Sequence, residues 1–287
     1  LANTLFGADR IGAFAWFGYW SIFIWNFSGD RNRSLGGLFE EIMRKFGLIG
    51  FPLGHSFSKN YFTEKFEKEG IQDCSFELYE IRDVLQLRSI IAENPNLEGI
   101  CVTIPYKEKV IDLMDELVPA CEAIGAVNCI QIREGKLIGN NTDYIGFKNS
   151  LEKWLGTDRP NALVLGTGGA SKAVKQALKA MDINFLSVSR SVRPDMVTYQ
   201  DLNTNSKFLM EHQLIINTTP VGTYPDTEGI PEIPIEHLTA NHSVYDLVYN
   251  PTETQLMRAC LAIGGQAKNG YEMLVLQAEA AWEIWNS

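Results

Sequence analysis

The sequence predicts an α/β protein of two consecutive units, and three observations carry that reading. From about residue 45 onward, short apolar runs alternate with amphipathic stretches. A strand-like run at 162–165 enters the glycine-rich turn Gly166-Thr167-Gly168-Gly169 and continues into a helical pattern. The polar turn Arg133-Glu134-Gly135-Lys136 separates two strand-like segments, as in a hairpin. Strands alternating with helices point to a mainly parallel sheet covered by helices. With 287 residues, the chain has room for one large domain or two ordinary ones.

Taken in order, 46–50 reads as a buried strand and 59–69 as a helix with Tyr61, Phe62 and Phe66 on one side. Gly70 suits its C-terminal cap. A strand at 75–80, a helix at 84–92 and a strand at 99–103 follow. The hairpin arms are 126–131 and 137–140, and 144–155 is a bridging helix. In the second unit, 162–165 is a strand and 170–181 a helix, with Ala173, Val174, Ala177, Leu178 and Met181 at helical spacing. Strands follow at 185–189, 214–217 and 244–247. A helix at 254–263 stops at Gly264-Gly265, and 272–285 forms the last helix.

The first forty residues do not share this pattern. Residues 11–27 are apolar, aromatic and uncharged, with Arg31 and Arg33 behind them. That length is about the minimum for a bilayer crossing of roughly 17–25 residues. A short anchor, a secretory signal with a weak basic start, and a sequence upstream of the true start all compete. The third reading is favoured, because Met43 opens Met-Arg-Lys before the first buried strand. Residues 1–43 are therefore expected to lie outside the fold, and a membrane association is not expected.

Composition narrows the function. Hydrophobic residues make up 45% and charged residues 21%, which is a globular balance. A net charge of −10 repels phosphate backbones and argues against nucleic acid as partner. A small anionic ligand in a local basic pocket remains compatible. Cys74, Cys101, Cys121, Cys129 and Cys260 are scattered and odd in number, without a C-x-x-C pair. A disulfide framework or zinc site is not expected, and a reducing cytoplasm is. His55, His212, His237 and His242 lack metalloprotease spacing.

Glycines between a strand and a helix let backbone approach a pyrophosphate, while the helix N-terminus supplies amide donors. A turn that only packs strand on helix is the bland reading, but the strand–turn–helix context favours cofactor binding. Where an acid would hold a ribose 2′-hydroxyl, the chain reads Ser189-Arg190-Ser191-Val192-Arg193. An arginine among hydroxyls suits a 2′-phosphate, so NADP is favoured over NAD; a solvated surface arginine is the alternative. In the first unit, Gly50-Phe51-Pro52-Leu53-Gly54-His55-Ser56-Phe57-Ser58 offers two hydroxyls at a helix start, with Ser58 as a plain N-cap in the bland reading. Thr103-Ile104-Pro105-Tyr106-Lys107 ends a strand at the edge where open α/β sheets bind ligands. Gly125-Ala126-Val127-Asn128 and Asn140-Asn141-Thr142-Asp143 follow, with Asp143 a candidate cap for the bridging helix.

Together with Gly270-Tyr271-Glu272-Met273-Leu274 running to Gln277, these motifs closely resemble the shikimate dehydrogenase family. The family's G-x-P-x-x-H-S-x-S loop matches Gly50 to Ser58, and its N-V-T-x-P-x-K segment matches Cys101 to Lys107 with cysteine in the Asn place. G-A-V-N, N-T-D, G-x-G-G-A-S and G-x-x-M-L-x-x-Q all occur in the right order. The strand ends at 216–222 and 246–251 also match. Lys59, Phe62 and Thr63 stand where the family usually has Pro and a His-Asn pair.

The resemblance implies an N-terminal α/β substrate-binding domain, a Rossmann-like NADP-binding domain and a cleft between them. It divides the chain into 44–145 plus 271–287 for substrate and 146–270 for cofactor. It implies that Lys107 is the acid/base, supported by Asp143. Ser56, Ser58 and Tyr249 would hold the substrate carboxylate, and Thr103, Asn128, Asp143 and Gln277 its ring hydroxyls. Gly166, Gly168, Gly169, Ala170 and Ser171 would hold the pyrophosphate, Arg190, Ser191 and Arg193 the 2′-phosphate, and Met273 would border the nicotinamide. The implied reaction is NADPH-dependent reduction of 3-dehydroshikimate, without a metal, by a monomer or homodimer. A quinate/shikimate dehydrogenase using NAD, a non-catalytic sensor of shikimate-like ligands, and a folate-type dehydrogenase are the alternatives. Arg190 argues against the first, retention of Lys107 and Asp143 against the second, and the His-Ser-Phe-Ser loop against the third.

Overall fold

In the computed structural model, residues 43–54 and 56–287 are described; the readings placed on 1–42 and on His55 lie outside them. Among these residues are two six-stranded sheets, one from each half of the chain. In the first, β1 (Arg44–Gly50) lies between β2 (Cys74–Glu80) and β3 (Leu97–Val102), parallel to both. β5 (Cys129–Arg133) runs antiparallel to β3 and forms the hairpin with β6 (Lys136–Asn140), and β4 (Glu116–Leu117) closes the edge. The turn residues Glu134 and Gly135 both have positive φ, as a two-residue hairpin turn requires.

Alternation along these strands builds two cores. Phe46 and Leu48 face one side, where they meet Phe62, Phe66, Phe76, Ala281 and Trp285; Ile49, Ile100, Val102 and Ile130 face the other. The first side is roofed by α1 (Phe57–Glu69) and the C-terminal helix α9 (Tyr271–Trp285). The Trp285 ring lies over Gly99, where any Cβ would collide with it, and its indole N–H donates to the Ile130 carbonyl at 3.0 Å. Burying one such side chain is worth about 1.5–3 kcal/mol or somewhat more for tryptophan.

Lys59, Phe62 and Thr63, which depart from the family pattern, lie on α1. Phe62 is fully buried and stacks on Phe76 at 4.8 Å; Lys59 bonds the Phe76 carbonyl and the Glu77 carboxylate; Thr63 is exposed. Lys59 and Phe62 hold helix to sheet, and none of the three lines the cavity described below.

The second sheet is wholly parallel, in the order β12-β11-β10-β7-β8-β9. Its strands are β7 (Ala162–Leu165), β8 (Phe185–Ser189), β9 (Met196–Thr198), β10 (Leu214–Asn217), β11 (Ser243–Asp246) and β12 (Gln266–Asn269). Counted from β9, this is the 3-2-1-4-5-6 order of a dinucleotide-binding fold. Both faces are covered, which explains the unbroken apolar run at β7: Ala162 and Val164 pack with Phe147, Val174 and Leu178, whereas Leu163 and Leu165 pack with Leu202, Leu256 and Met257. The chain doubles back between β9 and β10, leaving a crevice at the C-terminal ends of β7 and β10.

The bridging helix α4 (Thr142–Leu155) packs against α9, and Gly146 permits their approach: a Cβ there would sit 2.6 Å from the Met273 carbonyl oxygen. Several short elements were not expected from the sequence. They include β4, α3 (Pro119–Ile124), β9, α6 (Tyr199–Thr204), α7 (Lys207–Glu211) and the edge strand β12. The apolar stretch 11–27 lies outside the described residues; among those that are described, no helix is long and apolar enough to cross a membrane.

Candidate active site

A cavity of about 290 Å³ opens where β1 and β3 end, beside the start of α1. Ser56, Ser58, Thr103, Lys107, Asn128, Asp143, Tyr249 and Gln277 all line it, together with Phe57, Cys101 and Leu274. These residues run from Ser56 to Gln277 in the sequence, and they arrive by different local devices. Ser56, not Ser58, is the N-cap of α1; its hydroxyl accepts from the Lys59 amide at 3.3 Å. Ser58 falls in the first turn because extended backbone ends at Ser56. Likewise Asn141, not Asp143, caps α4: its Oδ1 accepts from the Tyr144 amide at 3.0 Å, and its Nδ2 donates to the Ala126 carbonyl at 2.8 Å. That division of labour leaves the Asp143 carboxylate free of capping.

Lys107 Nζ bonds Asp143 Oδ2 at 2.6 Å, with the two side chains 22% and 14% exposed. The pair is therefore largely withdrawn from water, where a charge-assisted bond is stronger than at the surface. The Lys107 carbonyl accepts from the Val127 amide at 2.7 Å, which locks the segment carrying the lysine against the G-A-V-N turn. Asn128 is 4% exposed; its Nδ2 reaches Thr142 Oγ1 at 3.0 Å and its Oδ1 accepts from the Thr142 amide at 2.6 Å. Gln277 Nε2 donates to the Leu274 carbonyl at 2.9 Å. Tyr249 comes from the loop after β11 and meets Phe57 edge-on at 6.3 Å, so the second half of the chain contributes to the cavity rim. Cys101 is buried in the cavity wall, and that burial pushes its thiol up to about 12.

A second cavity, of about 670 Å³, lies in the crevice of the parallel sheet. Gly166, Gly168, Arg190 and Arg193 line it, with Thr167, Ser189, Tyr199, Thr218, Thr219 and Glu232. Gly166 has φ of 104°, and a Cβ on it would lie 2.8 Å from Thr218 Oγ1, so a side chain is excluded twice over. A Cβ at Gly168 or Gly169 would meet nothing within 4 Å, so this turn faces open space. Helix α5 (Gly169–Ala180) starts there with no side-chain cap, and Gly169 and Ala170 present its first amides. Ser171 is buried and its Oγ donates to the Gly168 carbonyl at 2.7 Å, which shapes the turn from within. Ser191 is exposed beside the cavity, its amide donating to Ser189 Oγ at 3.2 Å. Met273 is buried against α4 and β7 and lines neither cavity.

The sequence places Thr218 and Thr219 in the matching strand end at 216–222 but gives them no role, and both line this cavity. Thr219 is held by Asn217, whose amide in turn donates to the buried Asp246 at 2.9 Å. Burial raises the Asp246 carboxyl, against the bonds from Thr254, Val248 and Asn217. Leu274 and Phe57 fall inside the quoted motifs but receive no role there, because an apolar side chain has no chemistry of its own to single it out.

Glycine turn, uncapped helix start, open crevice and paired arginines are compatible with a dinucleotide phosphate carrying an extra 2′-phosphate.

Comparison with known proteins agrees. A family model, Shikimate dehydrogenase substrate binding domain, matches residues 48–130. The shikimate dehydrogenase (NADP(+)) of Halothermothrix orenii is 37% identical over 267 residues, covering 86% of this chain and 92% of its own. Among solved structures, a chorismate mutase/shikimate 5-dehydrogenase fusion protein from Clostridium acetobutylicum is 36% identical with a TM-score of 0.75, covering 85% and 91%. The Thermus thermophilus shikimate 5-dehydrogenase, solved with NADP(H) and shikimate, is 29% identical with a TM-score of 0.74, covering 85% and 93%. On relatives of this identity and coverage, the chain belongs to the shikimate dehydrogenase family.

Proposed function

We propose that this protein catalyses the reversible NADPH-dependent reduction of 3-dehydroshikimate to shikimate, with Lys107 as acid/base. The observation that carries the assignment is the sequestered Lys107–Asp143 pair in the wall of a cavity whose other polar side chains are hydroxyls and amides. Ser56, Ser58 and Tyr249 would receive the substrate carboxylate near the start of α1. Thr103, Asn128, Asp143 and Gln277 would order the ring hydroxyls. Fixed donors and acceptors of this kind lower the entropic cost of bringing the reacting carbon into position.

Gly166, Gly168, Gly169 and Ala170 would hold the pyrophosphate through backbone, with Ser171 supporting the turn. Arg190 and Arg193, with Ser191 beside them, would hold the 2′-phosphate, and Met273 would stand behind the nicotinamide site. When bound, the cofactor supplies or accepts the hydride. As negative charge develops on the substrate oxygen, Lys107 Nζ gives it a proton; in the reverse direction Lys107 takes it back. Asp143 fixes the direction of Nζ before that transfer. The division into 44–145 plus 271–287 and 146–270 follows from the same reading, since α9 leaves the second sheet and returns over the first. The five unpaired, buried cysteines fit a reducing cytoplasm.

The test is nicotinamide absorbance with shikimate and quinate, each with NADP and NAD. Shikimate with NADP should give the highest kcat/KM. A preference for quinate with NAD would replace this reading by the quinate/shikimate alternative, and no turnover with any pair would leave a ligand-binding role.

A further inference from the structure

Cys101 and Cys129 are placed opposite each other on adjacent antiparallel strands, β3 and β5. Register and hydrogen bonding identify the kind of pair. The Val102 amide donates to the Asn128 carbonyl at 2.8 Å, which makes 102 and 128 a hydrogen-bonded pair. Alternation then makes 101 and 129 the non-hydrogen-bonded kind, in which Cα atoms approach to about 4.5 Å and side chains are closest. Both side chains point to the same face, into the core roofed by α1 and α9. That separation lies at the short end of the roughly 4.4–6.8 Å over which cysteines can be bridged. Cys101 also lines the substrate cavity, so a small reagent entering the cavity reaches one thiol of the pair directly. Cys121 lies in the core on the opposite face of the sheet, and Cys74 and Cys260 are on other strands or helices.

We propose that Cys101 and Cys129 form an oxidation site in the floor of the substrate cavity, closing a cross-strand disulfide that switches the enzyme off. In that step two S–H bonds break and one Sγ–Sγ bond forms. The two electrons and two protons pass to a small two-electron oxidant such as diamide, which becomes the corresponding hydrazine. The residues next to the pair explain the consequence. Thr103 follows Cys101 by two positions, and Asn128 immediately precedes Cys129; both line the cavity, and Asn128 holds Thr142 beside Asp143. Drawing the two sulfurs together moves these groups and removes Cys101 from the cavity wall. A dithiol reduces the bond again by thiol–disulfide exchange, which suits it to reversible control. Burial holds both thiols in their protonated form, so oxidation is slow at neutral pH and faster in alkali.

The effect on activity rests on the proposed function, whereas bond formation does not, so the two are read separately. The full chain is treated with diamide, and free thiols are counted after denaturation, with the bridged peptides located by mass spectrometry. Thiols should fall from five to three per chain, with Cys101 joined to Cys129. Shikimate oxidation by NADP should fall by about tenfold to a hundredfold, as expected for misplacement of positioning groups, and dithiothreitol should restore it. Cys129→Ala should keep its basal activity and lose the reversible inactivation; Cys101→Ala should also form no bridge. A bridge without loss of activity would overturn the switch but keep the oxidation site. Unchanged thiol count, a bridge involving other cysteines, or equal sensitivity of Cys129→Ala would overturn the proposal itself.

Discussion

The two cavities are built by opposite means. The cavity proposed for the substrate is made of side chains, its central polar groups held by bonds to other elements: Asn128 to Thr142 and Lys107 to Asp143, with Asn141 bonded to the Ala126 carbonyl behind them. The cofactor crevice is made of backbone and exposed cations: a glycine turn, an uncapped helix start, and Arg190 and Arg193 facing solvent. A reacting group must be fixed to a fraction of an ångström before the chemistry, whereas a phosphate needs a dipole, amides and charge that adapt on binding. Damage should therefore appear mainly in turnover at the first site and mainly in cofactor affinity at the second.

The largest effect expected from this contrast is at Lys107. Lys107→Met keeps most of the side chain's stem and removes its proton. Turnover should fall by about 10²–10⁴-fold, with a smaller change in the KM for shikimate. NADP binding should stay near wild type, because Lys107 lines only the other cavity. Near-normal turnover at saturating shikimate would reduce the lysine to an anchor. Arg190→Ala should do the converse. Loss of one charge-assisted bond, worth roughly 1.5–3 kcal/mol, should raise the KM for NADP about tenfold or more while leaving that for NAD nearly unchanged. Equal effects on both cofactors would show that Arg190 does not read the 2′-phosphate.

The same contrast explains what the sequence made visible. The cofactor turn is contiguous, so Gly166, Gly168 and the arginines after β8 could be found by local pattern. The strand at 162–165 was equally plain, because burial on both faces leaves no polar position. The substrate site is assembled from segments far apart, and without the family resemblance its hydroxyls read as ordinary helix caps. That bland reading names Ser58 and Asp143 as the caps, whereas Ser56 and Asn141 take those places. β4 and α3 escaped because two and six residues are too few to show a period. β12 escaped because its sequence, Gln-Ala-Lys-Asn, is that of a polar sheet edge. Ser171 shows the limit of motif reading: its place in the fingerprint is right, yet its hydroxyl turns inward to Gly168.

A smaller effect should follow at Asn141, which touches neither the lysine nor any predicted ligand group. Asn141→Ala removes the α4 cap, at a cost of about 0.5–2 kcal/mol, and leaves the Ala126 carbonyl only the weak Cys121 thiol as donor. Urea unfolding should therefore show a loss of about 1–3 kcal/mol. Turnover should fall as well, though less than in Lys107→Met, because Asp143 starts from a less fixed backbone. Unchanged turnover in a destabilised protein would separate stability from positioning and weaken the view that the substrate site depends on its supporting bonds.

The smallest effect concerns the clasp between the two regions. Glu272, in the first turn of α9, accepts from Lys153 at 2.7 Å, from Ser150 at 3.0 Å and from Lys268 on β12. Bonds from Lys153 and Lys268 hold its carboxyl down at about 2, although burial alone would raise it. Because the folded-state value is depressed, the stabilisation is fully present above the ordinary glutamate value near 4.5. It is lost as pH falls through that value towards 2. A shift of that size corresponds to roughly 3 kcal/mol, but the side chain is 29% exposed and solvent screens its partners, so about 1–2 kcal/mol is expected. Glu272→Gln should therefore unfold more easily than wild type at neutral pH, and the two stabilities should converge as the pH approaches 2. A constant gap across that range would mean that shape and not charge fastens α9 to α4 and β12. Since α9 also carries Leu274 and Gln277 into the substrate cavity, loosening the clasp should raise the KM for shikimate before it affects that for NADP.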